Sequence, residues 1–180
     1  MRIRFCGFGG QGIVLAGYIT GNAAVTDGKN AIQNQSYGSE SRGGNCKSDV
    51  IVESGEIYEL ELDEIDVLVA MSQTAHDMYI DQLQPDGTVI IDSDLVAPKE
   101  GQKGLHAVPF TDIAYQAFNR KIMGNMVMLG YLVGSTDVVS EDSMRKAIEA
   151  NVPKGTEEMN TKAYIKGLKM GREAAGGKGR

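Results

Sequence analysis

The chain opens on a short apolar run, Arg2–Cys6, that stops at Gly7-Phe8-Gly9-Gly10-Gln11-Gly12. An apolar run of this length bounded by glycine predicts a buried strand. Ile13, Val14, Ala16, Gly17, Ile19, Thr20, Ala23 and Ala24 then recur at helical spacing, with enough small residues for the helix to lie close on a sheet, until Gly28 and Asn30 end the pattern. Ala31–Gln35 is a second strand, and residues 36–45 are too rich in glycine and serine to pack a core, so they predict a surface loop. Lys47–Glu53 is the next strand, and Ser54-Gly55 predicts a tight turn that folds Ile57–Leu60 back on it as a β-hairpin. Asp66–Ala70 is another buried strand, followed by a helix that Ser72 caps and that runs to about Gln84. After a turn at Pro85-Asp86-Gly87 come strands at Thr88–Ile91 and Leu105–Pro109. Thr111 or Asp112 caps the next helix, and three more helices follow over Asn125–Val133, Glu141–Ala150 and Glu157–Ala175, with a disordered tail expected over 173–180.

Strands alternating with helices predict the α/β class. The expectation is one domain over 1–180: a Rossmann-like, mixed but mostly parallel sheet with flanking helices and a β-hairpin insertion. Ligands of such sheets sit beyond the carboxyl ends of the strands, where the glycine-rich turn lies.

Composition narrows the function classes. The formal charge of −6 is spread without a long run, and the one basic cluster, Lys162, Lys166, Lys169, Arg172, Lys178 and Arg180, falls on the last helix and tail. A nucleic-acid surface needs a basic stripe, so no nucleic-acid partner is expected. No apolar stretch reaches the roughly 18 residues of a membrane span, so no membrane partner is expected either. No signal-peptide pattern precedes the first strand, which makes the cytoplasm the expected compartment. Cys6 and Cys46 are the only cysteines and form no CxxC pair, so the chain offers no ligand set for zinc or an iron–sulfur cluster and no metal site is expected.

Gly7, Gly9 and Gly12 satisfy G-x-G-x-x-G directly after a strand and before a helix. Glycine permits positive φ and close approach of a ligand to the backbone, and the helix start presents free N–H groups to an anion. With Gly10 and Gln11, these residues are the first candidate ligand site. A dinucleotide reading also needs an acidic residue closing the second strand. That strand runs instead into Gln33-Asn34-Gln35-Ser36-Tyr37, and Asp27 falls too early. Contact with a cofactor phosphate, or a tight strand–helix turn with no ligand, both stay open. The second candidate is Tyr37-Gly38-Ser39-Glu40-Ser41-Arg42-Gly43-Gly44, in which the fork of Arg42 beside Gly43 and Gly44 suits a phosphate or carboxylate. It follows the second strand and so belongs at the same sheet edge. A surface loop ordered by a partner chain is the competing reading.

No catalytic set can be assembled. His76 has Asp77 beside it, but neighbours in sequence do not face each other on a helix. His106 lies in a short strand as a core or edge residue. Ser36 and Ser72 lack a base, Asp92 and Asp94 end a strand as capping residues, and only Lys47 stands near Cys46 to lower its pKa. Met123, Met126 and Met128 are either core or an apolar surface for a partner.

The stretch Arg2 to Gly17, then Tyr37-Gly38 to Arg42-Gly43-Gly44 and Ser48-Asp49-Val50, resembles the gamma subunit of 2-oxoacid:ferredoxin (acceptor) oxidoreductases. The pairing of Gly-Gly-Gln-Gly with Arg-Gly-Gly some 30 residues later carries the resemblance, which extends over residues 1 to about 172. Phe8 before Gly-Gly-Gln-Gly is more similar to the 2-oxoglutarate branch than to the pyruvate branch. The resemblance implies a holoenzyme that oxidatively decarboxylates a 2-oxoacid on thiamine diphosphate. Electrons then pass through iron–sulfur clusters to ferredoxin or a similar acceptor, and an acyl-coenzyme A is released. It implies that those cofactors sit on other subunits, the partners being alpha and beta subunits with a delta subunit left open, and that this chain binds none of them tightly and carries no complete active site. It places the chain beside the coenzyme A region, with Arg42 and the Gly7–Gly12 backbone meeting a phosphate or a partner's carboxylates. The alternatives are a stand-alone nucleotide- or phosphate-binding Rossmann-like protein and, more weakly, a small NAD-dependent reductase, for which the acidic ribose ligand and a Tyr–Lys pair are missing.

Overall fold

A computed structural model describes residues 1–37 and 44–176. Its centre is a six-stranded sheet, β1 (Arg2–Phe8), β2 (Asn30–Tyr37), β3 (Asn45–Glu53), β4 (Ile65–Ala70), β5 (Leu83–Asp92) and β6 (Leu105–Val108), in the order β2-β3-β1-β4-β5-β6. The pairs β1–β4, β4–β5 and β5–β6 are parallel, whereas β3 runs antiparallel to both β1 and β2. The sheet is therefore mixed and mostly parallel.

The antiparallel part differs from the expected hairpin. Residues 57–60 pair with nothing, because both edges of β3 are taken, by β2 on one side and β1 on the other. The polar–apolar alternation around Tyr58 and Leu60 imitates a strand, but both side chains are exposed. The antiparallel partners of β3 are β2 and β1, both earlier in the chain, and Ile32 of β2 stands opposite Ile51. The expected turn Pro85-Asp86-Gly87 lies inside β5, where the register jumps from Ile65–Leu83 to Val67–Thr88 and leaves those residues as an irregularity.

Alternation along β1 divides the interior. Ile3 and Phe5 face a large core with Val50 and Val52 of β3 and Val67 and Val69 of β4. Cys6 faces a smaller one with Leu68, Ala70 and Ile91. Helix α1 (Ile13–Thr26) covers the large core together with α4 (Gly124–Thr136), α5 (Glu141–Asn151) and α6 (Glu157–Gly176), and α3 (Phe110–Phe118) adds Phe110 and Ala114. On the other face, α2 (Gln73–Tyr79) and a 3-10 turn over Ile80–Gln82 are shorter than the helix expected to reach Gln84. Ser72 caps α2 as expected, its hydroxyl accepting from Ala75 N–H. The last helix continues through Gly176, so residues 173–176 are helical rather than a disordered tail, and 177–180 lie outside the described residues.

Helix α4 is buried from Gly124 to Gly134, which its all-round apolar sequence permits. Met123, Met126 and Met128 are core residues and not an exposed patch. Helix α6 crosses α4 at glycines. A Cβ on Gly130 would stand 2.6 Å from Leu168 N, and one on Gly171 would stand 3.0 Å from Gly134. Beneath α2, the Arg4 guanidinium donates to both oxygens of Asp49, at 2.6 and 2.7 Å, and lies 4.7 Å from the Tyr79 ring. Both charges are buried, and Lys47 approaches Asp49 from the rim at 3.0 Å.

Candidate functional site

The glycine loop joins β1 to α1 at the point where the sheet order reverses, with β3 on one side of β1 and β4 on the other. Gly10 and Gly12 take φ of 97° and 78°, in the left-handed region that side chains disfavour. Gly12 is the N-cap of α1 and supplies no side-chain cap. Its carbonyl accepts from Ala16 N–H, so the N–H groups of the first turn ahead of Ala16 form the open end of the helix.

Gln11 holds this loop in shape. Its Oε1 accepts from Phe8 N–H at 2.6 Å and its Nε2 donates to the Met71 carbonyl at 2.8 Å, which ties the end of β1 to the end of β4. A Cβ on Gly7 would run into the Gln11 side-chain oxygen. The amide therefore lies across the crevice between the two parallel strands.

The second loop meets the first. Gly9 N–H donates to Gly44 O at 3.2 Å, and Phe8 stands opposite Asn45. Of the sequence candidates, Gly7, Gly9, Gly10, Gln11, Gly12 and Gly44 gather at one end of the sheet, while Arg42 and Gly43 lie outside the described residues.

The other suspected groups serve the scaffold. Asp92 is buried at the end of β5 and accepts from Thr111 N–H at 3.0 Å and the Thr111 hydroxyl at 2.6 Å, while Asp94 accepts from Asp112 N–H at 2.7 Å. These two carboxylates cap α3, a role expected of Thr111 or Asp112 themselves. Burial pushes the Asp92 carboxyl above the usual carboxylate range, against the hydrogen bonds from Thr111 and Asp94 that pull it back. Burial also raises the Cys46 thiol pKa. Cys6 and Cys46 face the two different cores, so one cluster cannot take both as ligands. His106 Nδ1 lies 2.7 Å from the Tyr131 hydroxyl inside the fold. His76 is buried, and contrary to expectation it does meet its neighbour: Nδ1 is 2.9 Å from Asp77 Oδ1. That hydrogen bond, followed by one from Gln73, holds the Asp77 carboxyl below its usual range.

Two adjoining cavities open beside the loop. One, of about 270 Å³, is largely apolar, with Met71, Leu95 and Ile122 in its wall beside Gly10, Gln11, Thr111, Lys121 and Asn125. The other, of about 350 Å³, is largely apolar, with Leu15, Met123, Met126, Val152 and Met159 in its wall. Ile122 and Asn125 belong to both. Sequence reasoning missed this wall. The signal present was Arg120-Lys121 just ahead of Gly124-Asn125, but its distance of over 100 residues from the loop hides the contact.

The model of the family described as pyruvate ferredoxin/flavodoxin oxidoreductase matches residues 2–170. The chain is 46% identical over 176 residues to the 2-oxoglutarate synthase subunit KorC of Methanocaldococcus jannaschii, covering 96% of this chain and 94% of that one. Among solved structures, the gamma subunit of a keto/oxoacid ferredoxin oxidoreductase from Geobacter sulfurreducens matches with a TM-score of 0.81 and 39% identity, over 96% of this chain and 98% of that one. The 2-oxoglutarate:ferredoxin oxidoreductase of Magnetococcus marinus, solved with 2-oxoglutarate, coenzyme A and succinyl-CoA bound, shares the fold at a TM-score of 0.86 and 23% identity, this chain corresponding to 31% of its length. Near-complete coverage in both directions, on a fold whose glycine loop sits at the topological switch point, shows that the chain belongs to the pyruvate ferredoxin/flavodoxin oxidoreductase family.

Proposed function

We propose that this chain is the gamma subunit of a 2-oxoglutarate:ferredoxin oxidoreductase, the complex that oxidatively decarboxylates 2-oxoglutarate to succinyl-coenzyme A. The observation that carries this reading is the 46% identity to a 2-oxoglutarate synthase subunit over nearly the whole of both chains. In this reading thiamine diphosphate and the iron–sulfur clusters belong to other subunits of the complex, whose alpha, beta and, where present, delta chains are this chain's partners, and ferredoxin or a similar acceptor takes the electrons.

The loop Gly7, Gly9, Gly10, Gln11 and Gly12, together with Arg42, Gly43 and Gly44, faces the coenzyme A region in this reading. The open start of α1 supplies N–H donors and the positive end of the helix dipole, which suit a phosphate. No helix among the described residues is long and apolar enough to cross a membrane.

The test is to tag the chain in its native cell, purify it gently and identify what accompanies it. Recovery of thiamine diphosphate and iron–sulfur subunits with coenzyme A-dependent 2-oxoglutarate oxidation is the expected result. A lone, nucleotide-loaded protein would overturn the reading. Within the complex, Arg42→Ala is expected to raise the KM for coenzyme A or to weaken assembly, and no change in either removes Arg42 from the site.

A further inference from the structure

We infer that the free edge of β2 and the uncharged flank of α1 form the face on which another subunit of the complex packs, adding a strand to the sheet. This rests on the reading that the chain is one subunit of a larger oxidoreductase.

Helix α1 contains no Asp, Glu, Lys or Arg, and neither does β2. Charged residues make up 23% of the chain, and α5 and α6 carry theirs as exposed ion pairs. Between α1 and β2 stand Asp27 and Lys29, and both are tied to the fold: Asp27 accepts from the Ser140 hydroxyl at 2.6 Å, and Lys29 donates to the Val138 carbonyl at 2.7 Å. A helix without a charged face is normally enclosed, as α4 is. One flank of α1 instead lies open. Tyr18 and Val25, two turns apart on one side of the helix, are 48% and 60% exposed.

The strand edge beside this flank is equally bare. β2 is the outermost strand on its side and pairs with β3 in unbroken register from Asn30 to Tyr37. Exposed edges are usually shielded by shortness, charge, proline or a bulge. The opposite edge, β6, is short, at Leu105–Val108, whereas β2 has eight residues and none of these devices. Gln33 of β2 lies 3.4 Å from the Val14 carbonyl of α1, so edge and flank form one continuous face. Apolar and amide surface with exposed tyrosine and little charge is the composition of an interface core.

Charge selects the occupant. Asn30 and Asn34 donate to the carbonyls of Gly55 and Leu60, which holds an acidic segment against the other side of the strand. It carries Glu53, Glu56, Glu59, Glu61, Asp63 and Glu64, and among the described residues its one ion pair is Arg2–Glu59. A second copy paired antiparallel at this edge would bring two such segments together, on chains that each carry a net charge of −6. A different subunit, with an uncharged strand flanked by Lys or Arg, satisfies the edge and the carboxylates together.

The experiment purifies the tagged chain from its native cell, as wild type and with single substitutions. Tyr18→Glu sets a charge in the packed face and Gln35→Lys sets one on the strand edge. Each should lower the recovered partner subunits about tenfold or more. Glu61→Lys should lower recovery by a smaller factor, and recovery at the wild-type level would remove the basic groups from the partner. Ile165→Glu, on the exposed side of the charged helix α6, should leave recovery unchanged. Hydrogen exchange needs no variant: amides of residues 31–37 should exchange about tenfold or more slowly in the holoenzyme than in the free chain. Unchanged exchange there, or wild-type recovery with both Tyr18→Glu and Gln35→Lys, overturns the face. A wild-type chain that recovers no subunits overturns the subunit reading instead. A free chain that sediments as a dimer, dispersed by Gln35→Lys while the holoenzyme still assembles, gives the edge to a second copy and also overturns the proposal.

Discussion

The side-chain amide of Gln11 bridges two strand ends, accepting from Phe8 N–H and donating 2.8 Å to the carbonyl of Met71. A residue in a surface turn thereby sets the spacing of β1 and β4 at the switch point of the sheet. Glutamine is suited to this because it carries a donor and an acceptor on one planar group.

Gln11→Leu removes both bonds and leaves a backbone N–H and a carbonyl to be solvated. With each bond contributing about 0.5–1.5 kcal/mol net, the loss should be about 1–3 kcal/mol. Thermal unfolding of the purified chain should show a midpoint lower by several degrees. An unchanged midpoint would mean that the turn holds itself without the amide.

Two helical glycines should respond to alanine with opposite signs. Gly167 of α6 lies against the Val127 carbonyl of α4, where a Cβ cannot fit without separating the helices. Gly21 of α1 has open space around its would-be Cβ. Gly21→Ala should stabilise the fold by up to about 1 kcal/mol through helix propensity. Gly167→Ala should destabilise it by about 1–3 kcal/mol, the cost typical of overpacking, despite the same propensity gain. Denaturant midpoints with equal slopes would measure both, and a stabilising Gly167→Ala would contradict the close crossing.

The Arg4–Asp49 pair is buried on both sides, and Arg4 also donates to the Leu62 carbonyl at 3.1 Å. Asp49→Asn leaves the guanidinium charge without its carboxylate and should cost about 3–5 kcal/mol. The double replacement of Arg4→Met with Asp49→Leu should recover most of that loss, since it removes both charges at once. Full destabilisation in the double variant would show that the pair supports more than its own charges.

Asp92 gives a pH dependence with a definite sign. Burial holds its folded pKa above the unfolded value, so the folded state binds the proton more tightly. Its favourable contribution is complete below the ordinary carboxylate pKa of about 4 and is lost as pH rises through the raised folded value. Relative to Asp92→Asn, the wild-type chain should lose stability over that interval and run parallel above it. A wild-type chain that instead loses stability relative to Asp92→Asn as pH falls would reverse the assignment and make the Thr111 hydrogen bonds the dominant influence.

Much of this was present in the sequence. The alternation of apolar runs and helical spacing places five of the six strands within a few residues, and Ser72 announces its helix through the local chemistry of an N-cap. Gly10 and Gly12 declare a turn that only glycine makes easily. The Gly-Gly-Gln-Gly and Arg-Gly-Gly spacing pointed to the family that the comparisons then showed.

Tertiary structure decided what depends on partners remote in the chain. Alternation at 57–60 has the period of a strand, but a strand needs a free edge, and β2 and β1 had already occupied both edges of β3. Cysteine separation says nothing of sheet faces, which the register of β1 against β3 assigns. Gln11 reads locally as one more polar loop residue until Met71 arrives beside it, and Asn125 as one more helix residue until Gly12 does. Local propensity and spacing are properties of neighbouring residues, whereas hydrogen-bond closure and cavity walls form only when distant segments pack.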